Sequence, residues 1–156
     1  MNYLLAKSEQ VLLSTQEILR KFRELVNLTF HKNGIPISYD QWIVLNVLAK
    51  KQGVKQIVVS RATKKEPASI SRILVLLERK EMIQKVSDIS DKKANRIYLT
   101  PYGSDVHNRA TEIFNKLAND GFNGIYEQEI NLFVRIIEKV QGNFIQMRQN
   151  GQSVAV

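Results

Sequence analysis

Helical spacing governs this 156-residue chain except between Met82 and Thr100, and that one interruption constrains the fold most. There "MIQKVS" and "RIYLT" are short runs rich in β-branched and aromatic residues. Between them "DISDKKAN" supplies the Asp, Ser and Asn that form turns, so the stretch predicts one hairpin with a polar, lysine-bearing tip.

Apolar residues on either side recur every three or four positions. Val11, Thr15, Ile18, Phe22, Leu25, Val26 and Phe30 predict a long amphipathic helix over about 3–32, ended by "KNG" with Gly34 as its C-cap. After "IPIS", Ser38 caps a second helix over about 39–51, with Trp42, Leu45, Val47 and Leu48 inward and a close near Gly53. A short helix follows over about 55–63. Thr100-Pro101 opens another over about 102–120, with Val106, Ala110, Ile113, Phe114 and Leu117 inward, until "NDGFNG" breaks it. The last, over about 127–149, carries Ile130, Phe133, Val134, Ile137, Val140 and Phe144 on one side.

The stretch "KKEPASISR" at 64–72 needs a decision, because proline either breaks a helix or begins one. Pro67 fits the first helical position, where its missing N–H costs nothing and its fixed φ suits the helix. Ile70, either Ile73 or Leu74, and Leu77 then form the buried stripe. Ala68, Ser69, Ser71, Arg72 and Val75 lean outward or sit at the edge. Glu66 is a weaker N-cap than Ser or Asp, though its charge suits the helix dipole.

Charge is distributed as unevenly as texture. The chain has a formal net charge of +8. Residues 50–96 hold thirteen Lys/Arg and five Asp/Glu, and the remainder holds ten of each, so all of the excess lies in one central stretch. A solvated basic face is the plain alternative. Concentration in one structural unit favours a polyanion, since neutralising phosphates releases counterions.

Three short helices followed by a hairpin describe a winged helix-turn-helix. The expected architecture is mainly α with a small β-hairpin: one domain over 1–156, with a winged unit at 38–100 flanked by helices at 3–33 and 102–149. The apolar stripes of those outer helices exceed what so small a unit needs. They are expected to pack on a second copy of the chain, the alternative being that they fold back over their own domain. No run of about 18 apolar residues is present, so no membrane span is expected, and the N-terminus carries no export signal. The absence of cysteine excludes disulfides, thiolate nucleophiles and cysteine–zinc sites, and fits a reducing cytoplasm.

"YDQWIVLNVL" at 39–48, "EPASISRILVLLERKEMI" at 66–83 and "DISDKKANRIYLTPYG" at 88–103 together resemble the multiple-antibiotic-resistance regulator (MarR) family of bacterial transcription factors. The resemblance runs over nearly the whole chain. It implies a homodimer in the bacterial cytoplasm, associated with the nucleoid, that binds double-stranded DNA at a pseudo-palindromic operator. Such proteins usually act as repressors released by a small-molecule effector. It places Pro67, Ala68, Ser69, Ser71 and Arg72 where a recognition helix meets the major groove, and Lys92 and Lys93 at the wing tip after Asp91, with Asp88 matching a second aspartate. Three departures bear on structure. Glu81 stands where the family has glycine, which predicts a different or less tight turn. Val75 and Leu76 replace polar residues, and lysines replace wing arginines, which insert better into a minor groove.

Arg72 is the strongest candidate for base readout, because its fork matches guanine O6 and N7. Its alternative is an ion pair with Asp88 or Asp91. Ser69 and Ser71 can position or specify. Lys64 and Lys65, in the turn before the helix, and Arg61 are assigned to phosphates, against a solvated-charge alternative. Arg96 belongs to the wing but can point back along its strand. Phe22, Phe30, Tyr39 and Trp42 are candidates to line an effector pocket, against a role as core aromatics. No cofactor or metal is expected, and catalysis has little basis: His31 and His107 are isolated, and no metal-spaced acids, phosphate loop or serine elbow occurs. The competing function is a winged-helix protein-interaction module without sequence-specific DNA binding.

Overall fold

The computed structural model describes residues 3–88 and 95–151. In chain order the elements are α1 (Tyr3–Lys32), α2 (Tyr39–Lys50), β1 (Val54–Lys55), α3 (Gln56–Thr63), α4 (Pro67–Arg79), β2 (Ile83–Ser87), β3 (Asn95–Leu99), α5 (Pro101–Gly121) and α6 (Glu127–Gln149). The chain divides after Leu117 into two compact units, so α5 crosses the division. Among the described residues no helix is long and apolar enough to cross a membrane.

Local chemistry sets the helix ends. At the end of α1, Gly34 takes φ +66°, its N–H donates to the His31 carbonyl, and Ile35 N–H donates to the Phe30 carbonyl at 2.9 Å. This is the Schellman pattern, and both apolar partners, Phe30 and Ile35, are buried. Ser38 caps α2 through a capping box: its hydroxyl accepts from Gln41 N–H, and the Gln41 side chain accepts from Ser38 N–H.

The end of α4 repeats the device without glycine. Glu81 adopts φ +58°, its N–H donates to the Glu78 carbonyl, and Met82 N–H donates to the Leu77 carbonyl at 3.0 Å. The turn is therefore as tight as a glycine would make it, which corrects the expectation of a looser one. A side chain in the left-handed region costs about 1–2 kcal/mol. The hydrogen bond from the Thr100 hydroxyl to the Glu81 carbonyl, at 2.6 Å, helps to hold it there.

The hairpin pairs β2 with β3 antiparallel, from Ile83 opposite Leu99 to Ser87 opposite Asn95. A third strand departs from the sequence reading, which placed Lys55 in a helix. Val54 and Lys55 instead pair with Ile97 and Arg96, giving the sheet order β1-β3-β2. Two residues are too few to show a period of two, and the pairing depends on a partner more than forty residues away.

The core gathers Val26 and Phe30 of α1, Leu45 and Leu48 of α2, Val59 of α3, the stripe Ile70–Leu74–Leu77 of α4, Met82, Ile97 and, from α5, Val106 and Ala110. Leu74, not Ile73, takes the central place in the α4 stripe. Gly103 of α5 lies so close to the Met82 carbonyl that a Cβ there would overlap it. Ile113, Phe114 and Leu117 are half-buried, and no described residue of α6 is buried.

Candidate nucleic-acid interface

The approach to α4 is fixed by a short, well-bonded turn. Lys64 ends α3 in the left-handed conformation, φ +53°. The buried Ser60 then clasps the turn twice: its hydroxyl donates to the Lys65 carbonyl at 2.7 Å, and its own carbonyl accepts from Lys65 N–H at 3.2 Å. The Gln56 amide adds a bond to the Pro67 carbonyl. Pro67 takes the first position of α4, as its fixed φ predicts. Glu66 occupies the N-cap in extended conformation with no side-chain capping bond, so the first turn keeps N–H groups without a side-chain cap. Sequence reasoning missed Ser60 and Gln56, because both are defined by contacts across the turn and not by any local pattern.

Beyond that turn the structure separates the basic residues into two kinds. Ala68, Ser69, Ser71, Arg72, Val75 and Arg79 are all exposed on α4, and Arg61 and Lys64 are exposed just before it. None of Arg61, Lys64, Arg72 or Arg79 forms an ion pair among the described residues. Asp88, one proposed partner for Arg72, is taken by other cations, and Asp91 lies outside the described residues. Lys65 behaves differently from its neighbour. Its ammonium lies 2.7 Å from Asp40 in the first turn of α2, with Arg23 at 3.5 Å from the same carboxylate. Lys80 is likewise drawn inward, donating to the Pro36 carbonyl at 2.6 Å, and Lys85 pairs with Glu78.

The base of the wing belongs to the second kind. Asp88 is 3% exposed, so its carboxylate needs partners within the protein. Arg96 supplies one, with Nε 3.0 Å from Oδ2, and Lys55 Nζ lies at 3.4 Å. Arg96 also donates from Nη1 to the Gly53 carbonyl at 3.0 Å. It points back along its strand and ties all three strands to the turn after α2. Lys92 and Lys93, the expected wing-tip contacts, lie outside the described residues.

The aromatic residues form one packed group and one separate member. The rings of Trp42 and Phe114 stack with centroids 4.1 Å apart, Tyr39 stacks on Trp42 at 6.0 Å, and Phe22 meets Phe114 edge-on at 5.4 Å. Phe30 is wholly buried in the core. The Trp42 indole donates to the Thr111 hydroxyl at 3.0 Å, and the buried His107 lies within 3.3 Å of Asn46 and Thr111. Burial lowers the His107 pKa, with Asn108 opposing and Lys50 reinforcing the shift. Burial likewise raises that of the Tyr39 phenol, which Arg23 opposes. These contacts describe a structural histidine at the joint of α2 and α5. A groove of about 490 Å³ runs along α1 over Leu13, Gln16, Leu19 and Arg23, and another of about 310 Å³ lies on α4 between Ser71, Arg72, Val75 and Leu76. Among the described residues no three His, Cys, Asp or Glu are grouped to hold a metal.

No protein-family model matches the chain. Its architecture is shared with solved transcriptional regulators. The structure of the regulator SlyA superimposes with a TM-score of 0.79 at 20% identity, covering 91% of this chain and 99% of that one. The S. aureus MepR–DNA complex gives 0.77 at 20% identity, covering 92% and 98%. PcaV of Streptomyces coelicolor, in complex with its natural ligand, gives 0.68 at 22% identity, covering 80% and 89%. The chain therefore has the winged-helix fold of MarR-family regulators, with six helices and a small antiparallel sheet among the described residues.

Proposed function

We propose that this chain is a DNA-binding transcriptional regulator of MarR type, working as a homodimer that represses a pseudo-palindromic operator until a small molecule releases it. The observation that carries the reading is the outer face of α4, where Ser69, Ser71, Arg72 and Arg79 are exposed, the two arginines form no ion pair among the described residues, and the helix starts from a rigidly bonded turn. Within a winged helix, that face is the one a major groove accepts. Arg72 contacts guanine, Ser69 and Ser71 position the helix, and Lys64 and Arg61 meet phosphates. The wing tip, with Lys92 and Lys93, reaches the flanking minor groove.

Two copies are needed to place two such helices about 34 Å apart on successive turns of DNA. The exposed apolar residues Val11, Leu12, Ile18 and Leu19 of α1, and Leu132, Phe133, Val134 and Ile136 of α6, supply surfaces for that association. An effector acts by favouring the spacing that does not fit DNA. That MepR has been solved with DNA and PcaV with a ligand supports both halves of the reading.

The test is binding to duplex DNA at several salt concentrations, with sedimentation of the free protein. Affinity is expected to fall steeply and linearly on a log–log plot, and the protein is expected to sediment as a dimer at micromolar concentration. A monomer overturns the dimer. Absence of salt-dependent duplex binding overturns the DNA reading in favour of a protein-interaction module, for which exposed Val75 and Leu76 on the same face are the favouring observation.

A further inference from the structure

The middle of the α4 face is not uniformly polar. With about 100° per residue, the line opposite the buried stripe Ile70–Leu74–Leu77 runs through Ala68, Arg72, Val75 and Arg79. The guanidinium expected to read guanine therefore has a methyl group one turn before it and an isopropyl group one turn after it. Val75 is 39% exposed and Leu76, beside it, 44%. Together with Ser71 and Arg72 they line a mainly apolar groove of about 310 Å³. Scattered surface aliphatics need no explanation. Two adjacent ones between Arg72 and Arg79, sharing a groove with Arg72, do.

The occupant must suit both parts of the row: hydrogen-bond acceptors or anions where Arg72 and Arg79 stand, and an apolar group between them. The major groove of duplex DNA has this chemistry, because phosphates flank it, each guanine presents the acceptors O6 and N7, and each thymine presents a 5-methyl group on its floor. The dimensions agree. From Ala68 to Val75 the helix rises about 10 Å, at 1.5 Å per residue. Base pairs are stacked about 3.4 Å apart, so this rise spans about three base-pair steps.

We infer that Val75, flanked by Leu76, is a specificity-determining residue that packs on a thymine 5-methyl group within three base pairs of the guanine read by Arg72. The inference rests on the proposed function and adds to it the class of half-site: a guanine accompanied by thymine, read partly through methyl groups. Val75 acts by shape and desolvation alone, having no hydrogen-bonding group, so it separates thymine from bases that lack the methyl group.

Deoxyuridine isolates this contribution, since it differs from thymidine only by that methyl group. The full chain is used to select its preferred duplex from a random library. Each thymine of the selected half-site is then replaced singly by deoxyuridine. At one position the wild-type protein is expected to lose about fourfold in affinity, the worth of one buried methyl group. The Val75→Ala protein, with its thermal midpoint unchanged, is expected to bind both duplexes equally. Three results overturn the inference while leaving DNA binding intact: a selected half-site with no fixed thymine, deoxyuridine neutral at every position, or a deoxyuridine penalty that survives in Val75→Ala. Failure to bind any duplex overturns the proposed function, and this inference with it.

Discussion

The outer face of α4 and the base of the wing carry the same sign of charge, and the structure employs them in opposite ways. On α4, Arg72 and Arg79 are exposed and form no ion pair among the described residues. At the wing base, Arg96 and Lys55 converge on Asp88, whose side chain is 2% exposed. The difference lies in the carboxylate, not in the cations. A buried carboxylate left unpaired costs several kcal/mol, so it captures whatever cation is within reach. Among the described residues the α4 face has no buried acid to do this, and Arg72 and Arg79 remain available to a partner. A basic cluster in a sequence is thus two populations, sorted by which cations the fold brings within reach of an acid.

The largest expected effect tests the joint that serves both regions. Met82 closes the turn after α4 through its N–H, and its carbonyl accepts from Thr100 N–H at the start of α5. Gly103 packs directly against that carbonyl. Gly103→Ala is expected to lower the free energy of unfolding by about 3 kcal/mol, since backbone must shift to admit the methyl group. Urea denaturation measures it, and a loss below about 1 kcal/mol would mean the joint is looser than described.

Two further substitutions pull the regions apart. Arg72→Ala is expected to weaken binding to the selected duplex by about 2 kcal/mol and relax preference at one base pair per half-site, with the unfolding midpoint unmoved. Equal weakening on random DNA would make Arg72 a phosphate contact. Asp88→Ala should do the reverse. It is expected to reduce stability by about 1.5 kcal/mol, less than for a wholly buried pair because the freed Arg96 and Lys55 can rehydrate. Affinity measured on the folded protein should change little. If Asp88→Ala instead raises DNA affinity, a freed Arg96 reaches DNA and the division between the two regions fails.

These regions also show how far the sequence could be read. The order of helices, the hairpin and the start of α4 at Pro67 were legible, because each depends on neighbours within a turn or two. Spacing placed Ile70 and Leu77 in the core, and rigid proline geometry placed the exposed face. The short strand Val54–Lys55 was not legible, since its pairing exists only in the presence of Ile97 and Arg96. The Glu81 turn was misread for a related reason: local preference disfavours a left-handed glutamate, and the packing of Met82 and the bond from Thr100 outweigh that preference. The two roles for Arg96 were both open in the sequence, and a buried aspartate eight residues away decides between them.

The smallest expected effect is the sharpest test of that sorting, because it compares adjacent residues. Lys64 and Lys65 are identical in type, and the sequence offers both equally to phosphates. In the structure Lys64 is exposed and has no ion pair among the described residues, while Lys65 is held 2.7 Å from Asp40. Lys64→Ala is expected to make the log–log salt dependence of DNA binding shallower by about one unit, with no change in stability. Alanine is the appropriate replacement, since glycine would also relieve the positive φ at that position and confuse the two effects. Lys65→Ala is expected to leave the slope nearly unchanged and to cost about 0.5 kcal/mol of stability, Asp40 retaining only the longer contact with Arg23. Equal changes in slope for the two variants would show that DNA draws Lys65 away from Asp40. The carboxylate would then be a competitor for the phosphates and not a fixed anchor, and affinity would rise in Asp40→Asn.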